Sequence, residues 1–151
     1  MLYQIISYFK FLIKSGNQHG IHSPFVYDLT SDCFYDTSHK KWHQQFNEYR
    51  ASLLNNKNTI LVQDFGAGSK TLQNNKRQIS KIAKNAGISL KRARLLGRFA
   101  NYFNALNILE IGTSLGIATA GLSLANPKSQ ITTLEGCQNT ANIALNSFNK
   151  F

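Results

Sequence analysis

The chain has 151 residues, of which 42% are apolar, so its size and composition suit a soluble globular fold of one domain. The formal net charge of +10 indicates a basic surface or a polyanionic partner. The two cysteines, Cys33 and Cys137, exclude a disulfide framework and a Cys-x-x-Cys site for zinc or redox chemistry, and they fit a reducing cytoplasm as the expected location.

The first 14 residues predict an amphipathic helix, because apolar residues recur at intervals of three and four. These residues are Leu2, Ile5, Ile6, Phe9, Leu12 and Ile13. The helix is too short to span a bilayer, and it lacks the basic start and cleavage site of a secretion signal. It either binds a membrane surface or a partner, or packs on the domain or across a dimer. We favour packing, and a homodimer through this helix is one form of it.

Residues 21–34 predict a second helix, in which Ser23 is the N-cap and Pro24 lies in the first turn. His19 and His22 lie near its start. A contact with substrate is one role for these histidines, and capping or packing is the favoured one.

Residues 37–54 predict a third helix, with an apolar stripe formed by Trp42, Phe46, Tyr49 and Leu53. His39 and His43 have the i, i+4 spacing of metal ligands. The run between them supplies no third ligand, so we expect two solvated histidines and no metal site.

Residues 59–62 predict a short strand, which leads into the glycine loop Asp64-Phe65-Gly66-Ala67-Gly68. An apolar helix does not follow directly, and the next acid after Asp64 is Glu110. We therefore interpret residues 59–69 as an accessory strand and loop. The loop is either a lid or substrate-facing segment, or a plain tight turn.

The most basic region lies between Asp64 and Glu110, and no acid occurs between them. Its cations are Lys70, Lys76, Arg77, Lys81, Lys84, Lys91, Arg92, Arg94 and Arg98. It predicts helices at residues 78–85 and 89–103, separated at Gly87. The expected buried face of the second helix consists of Leu95, Leu96, Phe99, Ala100 and Phe103. A helix-turn-helix here would place arginines on nucleic-acid phosphates. A solvated basic face is the favoured interpretation.

The most informative stretch is Asn-Ile-Leu-Glu-Ile-Gly-Thr-Ser-Leu-Gly at residues 107–116. Its pattern predicts a strand, a glycine turn and then a helix over 117–125. A second strand is predicted over 130–134, and Glu135 follows it, 23 residues after Gly112. A final helix is predicted over 139–148.

This spacing suits a ligand that carries a nucleoside. Gly112 and Gly116 allow a ligand to approach the main chain, and the helix that follows directs unpaired N–H groups at the turn. A carboxylate at the tip of the adjacent parallel strand, here Glu135, can accept hydrogen bonds from ribose hydroxyls.

The motifs Glu110-x-Gly112-Thr113-Ser114-x-Gly116 and Thr133-Leu134-Glu135-Gly136 resemble the cofactor-binding region of class I S-adenosylmethionine-dependent methyltransferases, in their O-methyltransferase-like branch. The dehydrogenase pattern G-x-G-x-x-G is not matched, because residue 114 is serine. Two further segments, His22-Ser23-Pro24-Phe25 and Asp64-Phe65-Gly66-Ala67-Gly68-Ser69, are similar to segments of methyltransferases of Bacteroidetes type.

The resemblance implies an α/β fold. A helical N-terminal region, residues 1–104, would precede the start of a Rossmann-like domain at residues 105–151. The family sheet has seven strands, of which this chain matches the first β-α-β-α unit. We therefore expect a truncated gene product, a fragment, or a chain that a partner completes. By itself it should bind the cofactor weakly or not at all and should be inactive.

The resemblance also implies residue roles, in which S-adenosylmethionine is the cofactor and an unknown small molecule accepts the methyl group. Glu110 would bind the amino group of the methionine part of the cofactor. Gly112, Thr113, Ser114 and Gly116 would form the turn beneath it, and Glu135 would hold the ribose. No catalytic residue is assigned. The alternative is a non-enzymatic module that binds nucleic acid through residues 70–98.

Overall fold

The computed structural model describes residues 2–65 and 75–151, and the chain divides into two compact units, Met1–Thr37 and Ser38–Phe151. Helices and short strands occur together, so the expected α/β class is confirmed. The expected division after residue 104 differs from these units, because the helices between 38 and 104 pack with the elements that follow them. Within residues 2–65 and 75–151, no helix has both the length and the apolar character needed to cross a membrane.

The first unit is helical. Its elements are α1 (Leu2–Lys14), a 3-10 helix (Gln18–Gly20), α2 (Pro24–Asp28) and a π-helix (Leu29–Phe34). The predicted start of α2 is confirmed, since the hydroxyl of Ser23 accepts a hydrogen bond from the N–H of Val26 at 3.4 Å. Thr30 and Cys33 are buried, whereas His19 and His22 are exposed.

The second unit combines five helices and two small sheets among its described residues. Its elements are α3 (Trp42–Asn55), β1 (Thr59–Leu61), β2 (Lys76–Gln78), α4 (Ile79–Asn85), α5 (Leu90–Tyr102), β3 (Asn107–Ile111), α6 (Ile117–Ala125), β4 (Gln130–Leu134) and α7 (Gln138–Phe148). Strands β1 and β2 are antiparallel, whereas β3 and β4 are parallel and connected through α6. The predicted strand, turn, helix and second strand are therefore confirmed.

Strand β2 was not expected, because the run that contains it is polar. It pairs through its main chain with β1, and Ile60 lies opposite Arg77. Residues 66–74 lie outside the described part of the chain, so the predicted loop from Gly66 to Ser69 and the cation Lys70 are not described.

The core of the second unit forms where α3 and α4 meet the start of α6. Its largest fully buried side chains include Tyr49, Phe46, Ile79 and Leu115. The predicted apolar stripe of α3 is confirmed by the burial of Phe46 and Tyr49. The prediction that His43 is solvated is wrong, because the residue is only 3% exposed.

The predicted buried face of helix α5 is confirmed in part, since Ala100 is buried. The other buried residues are Ala93 and Gly97, whereas Leu96 and Phe103 are exposed. The reason is close packing against α6, since a Cβ on Gly97 would lie 2.7 Å from the Cβ of Ala125. Small residues permit this approach, and larger side chains would hold the two helices apart.

One face of the β3–β4 sheet is open to solvent. Side chains alternate along both strands between half-buried and exposed. Ile111 and its partner Leu134 end the exposed rows and are 82% and 55% exposed. Among the described residues, this face of the parallel β3–β4 sheet therefore has no covering layer.

Candidate functional site

The site is built on the turn that connects β3 to α6. Gly112 has φ 94°, Ser114 has φ 49° and Gly116 has φ 74°, so three residues of this short turn adopt left-handed conformations. The N–H groups of Gly112 and Thr113 both donate to the carbonyl of Leu134, at 2.8 and 3.0 Å. The turn is thereby fixed to the carboxyl end of β4, where Glu135 follows.

Glu135 bridges two parts of this edge through its carboxylate. Its Oε2 accepts a hydrogen bond from the N–H of Ser114 at 2.7 Å, and its Oε1 accepts one from the N–H of Cys137 at 2.9 Å. The first of these bonds holds Ser114 in a conformation that is costly for a residue other than glycine. Each carboxylate oxygen keeps a further lone pair, so the half-buried carboxylate retains the capacity to accept hydrogen bonds from a ligand.

A cavity of about 570 Å³ opens beside this carboxylate. Its lining includes Gly112, Ser114, Glu135, Gly136 and Cys137 on one side, with Val62, Gln63, Asp64, Phe65, Arg77 and Ile82 among the residues on the other. The volume falls within the usual range for pockets that hold small molecules. The cavity lies outside the carboxyl ends of parallel strands, which is where open α/β sheets bind ligands.

The opposite wall comes from the segment that follows β1. A nitrogen of the Arg77 side chain lies 3.2 Å from a carboxylate oxygen of Asp64. The ring of Phe65 lies against Gly136, where an added Cβ would be 3.1 Å from the ring. The sequence suggested a substrate-facing role for this loop as one of two interpretations. Its described residues Asp64 and Phe65 do line the cavity.

Helix α7 and the residue before it, Cys137, hold that wall in position. The N–H of Gln63 donates to the sulfur of Cys137 at 3.3 Å, and the side-chain amide of Asn139 donates to the carbonyl of Leu61 at 2.8 Å. Burial disfavours the thiolate of Cys137, but hydrogen bonds from backbone groups that include the N–H of Gln63 favour it, and the net effect lowers the pKa of the thiol. The side chain of Cys137 is buried and forms no disulfide.

A polar cluster lies behind the turn and contains two of the predicted site residues. The carboxylate of Glu110 accepts hydrogen bonds from the hydroxyls of Thr119 and Thr133, the latter at 2.7 Å. The hydroxyls of Thr133 and Thr113 are 2.6 Å apart. Since Thr133 donates to Glu110, Thr113 donates to Thr133. The cavity is not lined by Glu110 or Thr113, and the predicted contact of Glu110 with an amino group stays a prediction.

Gly116 lies in a crowded position on the same side. A Cβ on this residue would be 2.4 Å from the ring of Phe148 and 2.8 Å from the hydroxyl of Tyr49. The rings of Tyr49 and Phe148 stack with an interplanar angle of 17°. Glycine is therefore required here by packing beneath the turn as well as by its positive φ.

The structure thus separates the six predicted residues into two groups. Gly112, Ser114 and Glu135 line the cavity together. Glu110, Thr113 and Gly116 support the turn from behind. No sequence pattern indicated this separation, since it depends on the conformation of the turn and on the helices that pack behind it.

His39 and His43 do not form a metal site with other residues of the described chain. The rings of His39 and His43 are in contact, with centroids 5.2 Å apart, and Nδ1 of His43 accepts a hydrogen bond from the N–H of Lys40. Within residues 2–65 and 75–151, no group of three or more histidine, cysteine or acidic side chains has a geometry that could hold a metal ion.

Comparisons of the chain with protein-family models, with curated proteins and with solved structures found no match.

Proposed function

We propose that this cavity binds S-adenosylmethionine and that the chain serves methyl transfer to a small-molecule acceptor. The observation that carries the proposal is the hydrogen bond from the N–H of Ser114 to the carboxylate of Glu135. This bond joins a glycine turn and an acid at the carboxyl edge of two parallel strands, which is the arrangement that recognises a ribose next to a charged group.

The proposed orientation of the cofactor follows from the chemistry of the cavity walls. The remaining lone pairs of Glu135 accept hydrogen bonds from the two ribose hydroxyls. The exposed ring of Phe65, against Gly136, offers a stacking surface to the adenine. The methionine part then lies over the turn at Gly112, which is exposed and has open space where a Cβ would lie.

Methyl transfer needs little covalent chemistry from the protein. The acceptor nucleophile forms a bond to the methyl carbon while the bond from that carbon to sulfur breaks. The electron pair of the broken bond stays on sulfur, and S-adenosylhomocysteine is released. The protein contributes by holding the two reactants in line. We assign no catalytic residue, and the acceptor is defined only as a small molecule.

A Rossmann-like fold belongs to the same proposal. The β3-α6-β4 connection is a parallel crossover, and a glycine turn leads from the first strand into the helix. Both features are typical of nucleotide-binding α/β folds.

We expect weak binding by this chain and no measurable turnover. The sheet under the proposed site is exposed on one face, where Ile111 and Leu134 lack cover among the described residues. A ligand bound there would have to restrict the motion of the carboxyl ends of β3 and β4, which little packing supports. The free energy spent on this restriction lowers the affinity of the ligand.

The test is a titration of isotope-labelled chain with S-adenosylhomocysteine, followed by amide nuclear magnetic resonance. We expect saturable shifts at the N–H groups of Gly112, Ser114 and Cys137. Glu135→Gln should weaken binding by about tenfold or more, because the charge-assisted hydrogen bonds to the ribose are lost. The control is Glu48→Gln, an exposed acid on α3 that bonds to Gln44. Absence of shifts at these amides, or equal loss in both variants, would contradict the proposal.

Nucleic-acid binding remains the second candidate, and one observation favours it. Helices α4 and α5 are separated by a short connection, as predicted, and they carry the exposed cations Lys81, Lys84, Lys91 and Arg92. A gel shift over a salt series separates the two functions. The nucleic-acid view requires a steep loss of affinity with salt, and it requires binding that Glu135→Gln leaves unchanged.

A further inference from the structure

Helix α1 exposes an unusual amount of apolar surface. None of the residues from Leu2 to Lys14 is buried. Its large apolar side chains are between 45% and 84% exposed. Surface apolar residues are common singly, but a contiguous patch indicates a partner or a membrane.

The exposed residues are arranged in two sides. At about 100° per residue, one side of the helix carries Leu2, Ile5, Ile6, Phe9, Leu12 and Ile13. The opposite side carries Gln4, Ser7 and Lys14 together with the aromatic residue Phe11. Lys10 lies at the border next to Ile6, and Tyr3 lies beside it. Tyr8 lies at the other border, where its ring stacks on that of Phe11. Aromatic and basic residues beside an apolar side are typical of helices that lie in a membrane surface.

The charged side chains of α1 are all positive. Lys10 and Lys14 are the charged side chains of α1, and the sequence contains no acid before Asp28. The complete chain has a formal net charge of +10. Anionic lipid is therefore the complementary surface, because each lysine near a negatively charged leaflet strengthens binding. A second copy of the same helix offers no acidic side chain to pair with these lysines.

We propose that α1 docks the protein on anionic lipid membranes, with its axis in the plane of the surface. The side that contains Phe9 enters the boundary between headgroups and acyl chains. Lys10 and Lys14 extend their stems along that boundary and place their ammonium groups among the lipid phosphates. With 13 residues the helix is about 20 Å long, which is too short to span the apolar layer of a bilayer. This inference is independent of the proposed cofactor site.

The test uses the full chain and co-sedimentation with vesicles. One set is phosphatidylcholine alone, and the other contains phosphatidylglycerol as well. We expect sedimentation with the anionic vesicles, reduced at high salt. Phe9→Glu should reduce partitioning by more than about tenfold, because an apolar side chain that is 59% exposed would no longer be available for insertion.

The matched control is Gln4→Glu, which makes the same change in charge on the opposite side of α1. It should weaken binding by only about fivefold, the effect of one charge near an anionic surface. Both positions are exposed, so folding should be retained, and circular dichroism checks this. Lys10→Gln with Lys14→Gln should remove most of the preference for phosphatidylglycerol.

Three outcomes would overturn the proposal. They are no sedimentation with either vesicle set, equal losses for Phe9→Glu and Gln4→Glu, and a dimer without vesicle binding. In the third outcome, light scattering would show a dimer that Phe9→Glu dissociates. That result would assign α1 to a homodimer interface instead.

Discussion

The hydroxyl of Tyr49 donates a hydrogen bond of 2.8 Å to the main-chain carbonyl of Leu115. Tyr49 belongs to α3, whereas Leu115 belongs to the glycine turn, so the bond fixes the turn to the helical part of the second unit. Burial raises the pKa of the Tyr49 phenol, and the hydroxyl therefore remains a donor throughout the pH range in which proteins are stable.

Tyr49→Phe tests this relationship. The substitution keeps the ring in the core but leaves the buried carbonyl of Leu115 without its donor. We expect the free energy of unfolding to fall by about 1–2 kcal/mol, measured by urea denaturation. The control is Tyr3→Phe, which changes an exposed residue of α1. An equal stability for Tyr49→Phe and the unmodified chain would contradict the account of the turn.

The two glycines of the turn should differ in their tolerance of alanine. At Gly112 the positive φ alone opposes the change, since an added Cβ meets no described atom within 4 Å. That strain costs about 1–2 kcal/mol. At Gly116 the Cβ would also meet Phe148 and Tyr49. Gly116→Ala should therefore lower the free energy of unfolding by about 1–3 kcal/mol more than Gly112→Ala does. Denaturation curves that rank Gly112→Ala as the more harmful change would be inconsistent with this packing.

Glu110 and Thr133 should act as one unit in stability. Glu110→Ala leaves the hydroxyl of Thr133 without an acceptor, and Thr133→Val removes one donor from the carboxylate. In a double-mutant cycle we expect a coupling energy of about 1 kcal/mol or more, because the two groups are in direct contact. Additive losses would show that the cluster does not position the turn through this bond.

His43 makes stability depend on pH. Burial, followed by the charges of Arg94 and His39, lowers the pKa of His43 below 6.5, so the folded protein holds it neutral. Below the unfolded pKa, the unfolded chain binds a proton that the folded chain resists. The stability contributed by the neutral ring is complete above pH 6.5 and is lost as pH falls towards the lowered pKa.

The measurement compares unfolding free energies at several pH values between about 7.5 and 5. His43→Asn retains an acceptor for the N–H of Lys40 but does not titrate, so its curve should decline less in that interval. His19→Asn, at an exposed position, should follow the unmodified chain. Parallel curves for His43→Asn and the unmodified chain would show that the buried imidazole is not responsible.

Local patterns were sufficient to predict much of the chain. The strand, glycine turn, helix and second strand around Gly112 were predicted because each element has its own apolar periodicity and is bounded by turn-forming residues. Helices α4 and α5 begin and end close to the predicted residues, since Ser89 caps the second of them. These features depend on interactions between residues that are close in sequence, so local sequence patterns are enough to predict them.

Contacts between distant residues could not be predicted in this way. The burial of His43 and the choice of small residues on α5 depend on how closely helices approach one another. Strand β2 forms from polar residues because its main chain finds a partner in β1. The wall that Phe65 adds to the cavity comes from a segment that is remote in sequence from Glu135.

The central claim is that the carboxylate of Glu135 binds ribose hydroxyls, and a thermodynamic cycle tests it most directly. The affinities of adenosine and 2′-deoxyadenosine are measured by amide titration for the unmodified chain and for Glu135→Gln. The account predicts that the unmodified chain prefers adenosine and that Glu135→Gln loses this preference. A preference that is absent from the unmodified chain, or equal in both proteins, would contradict it.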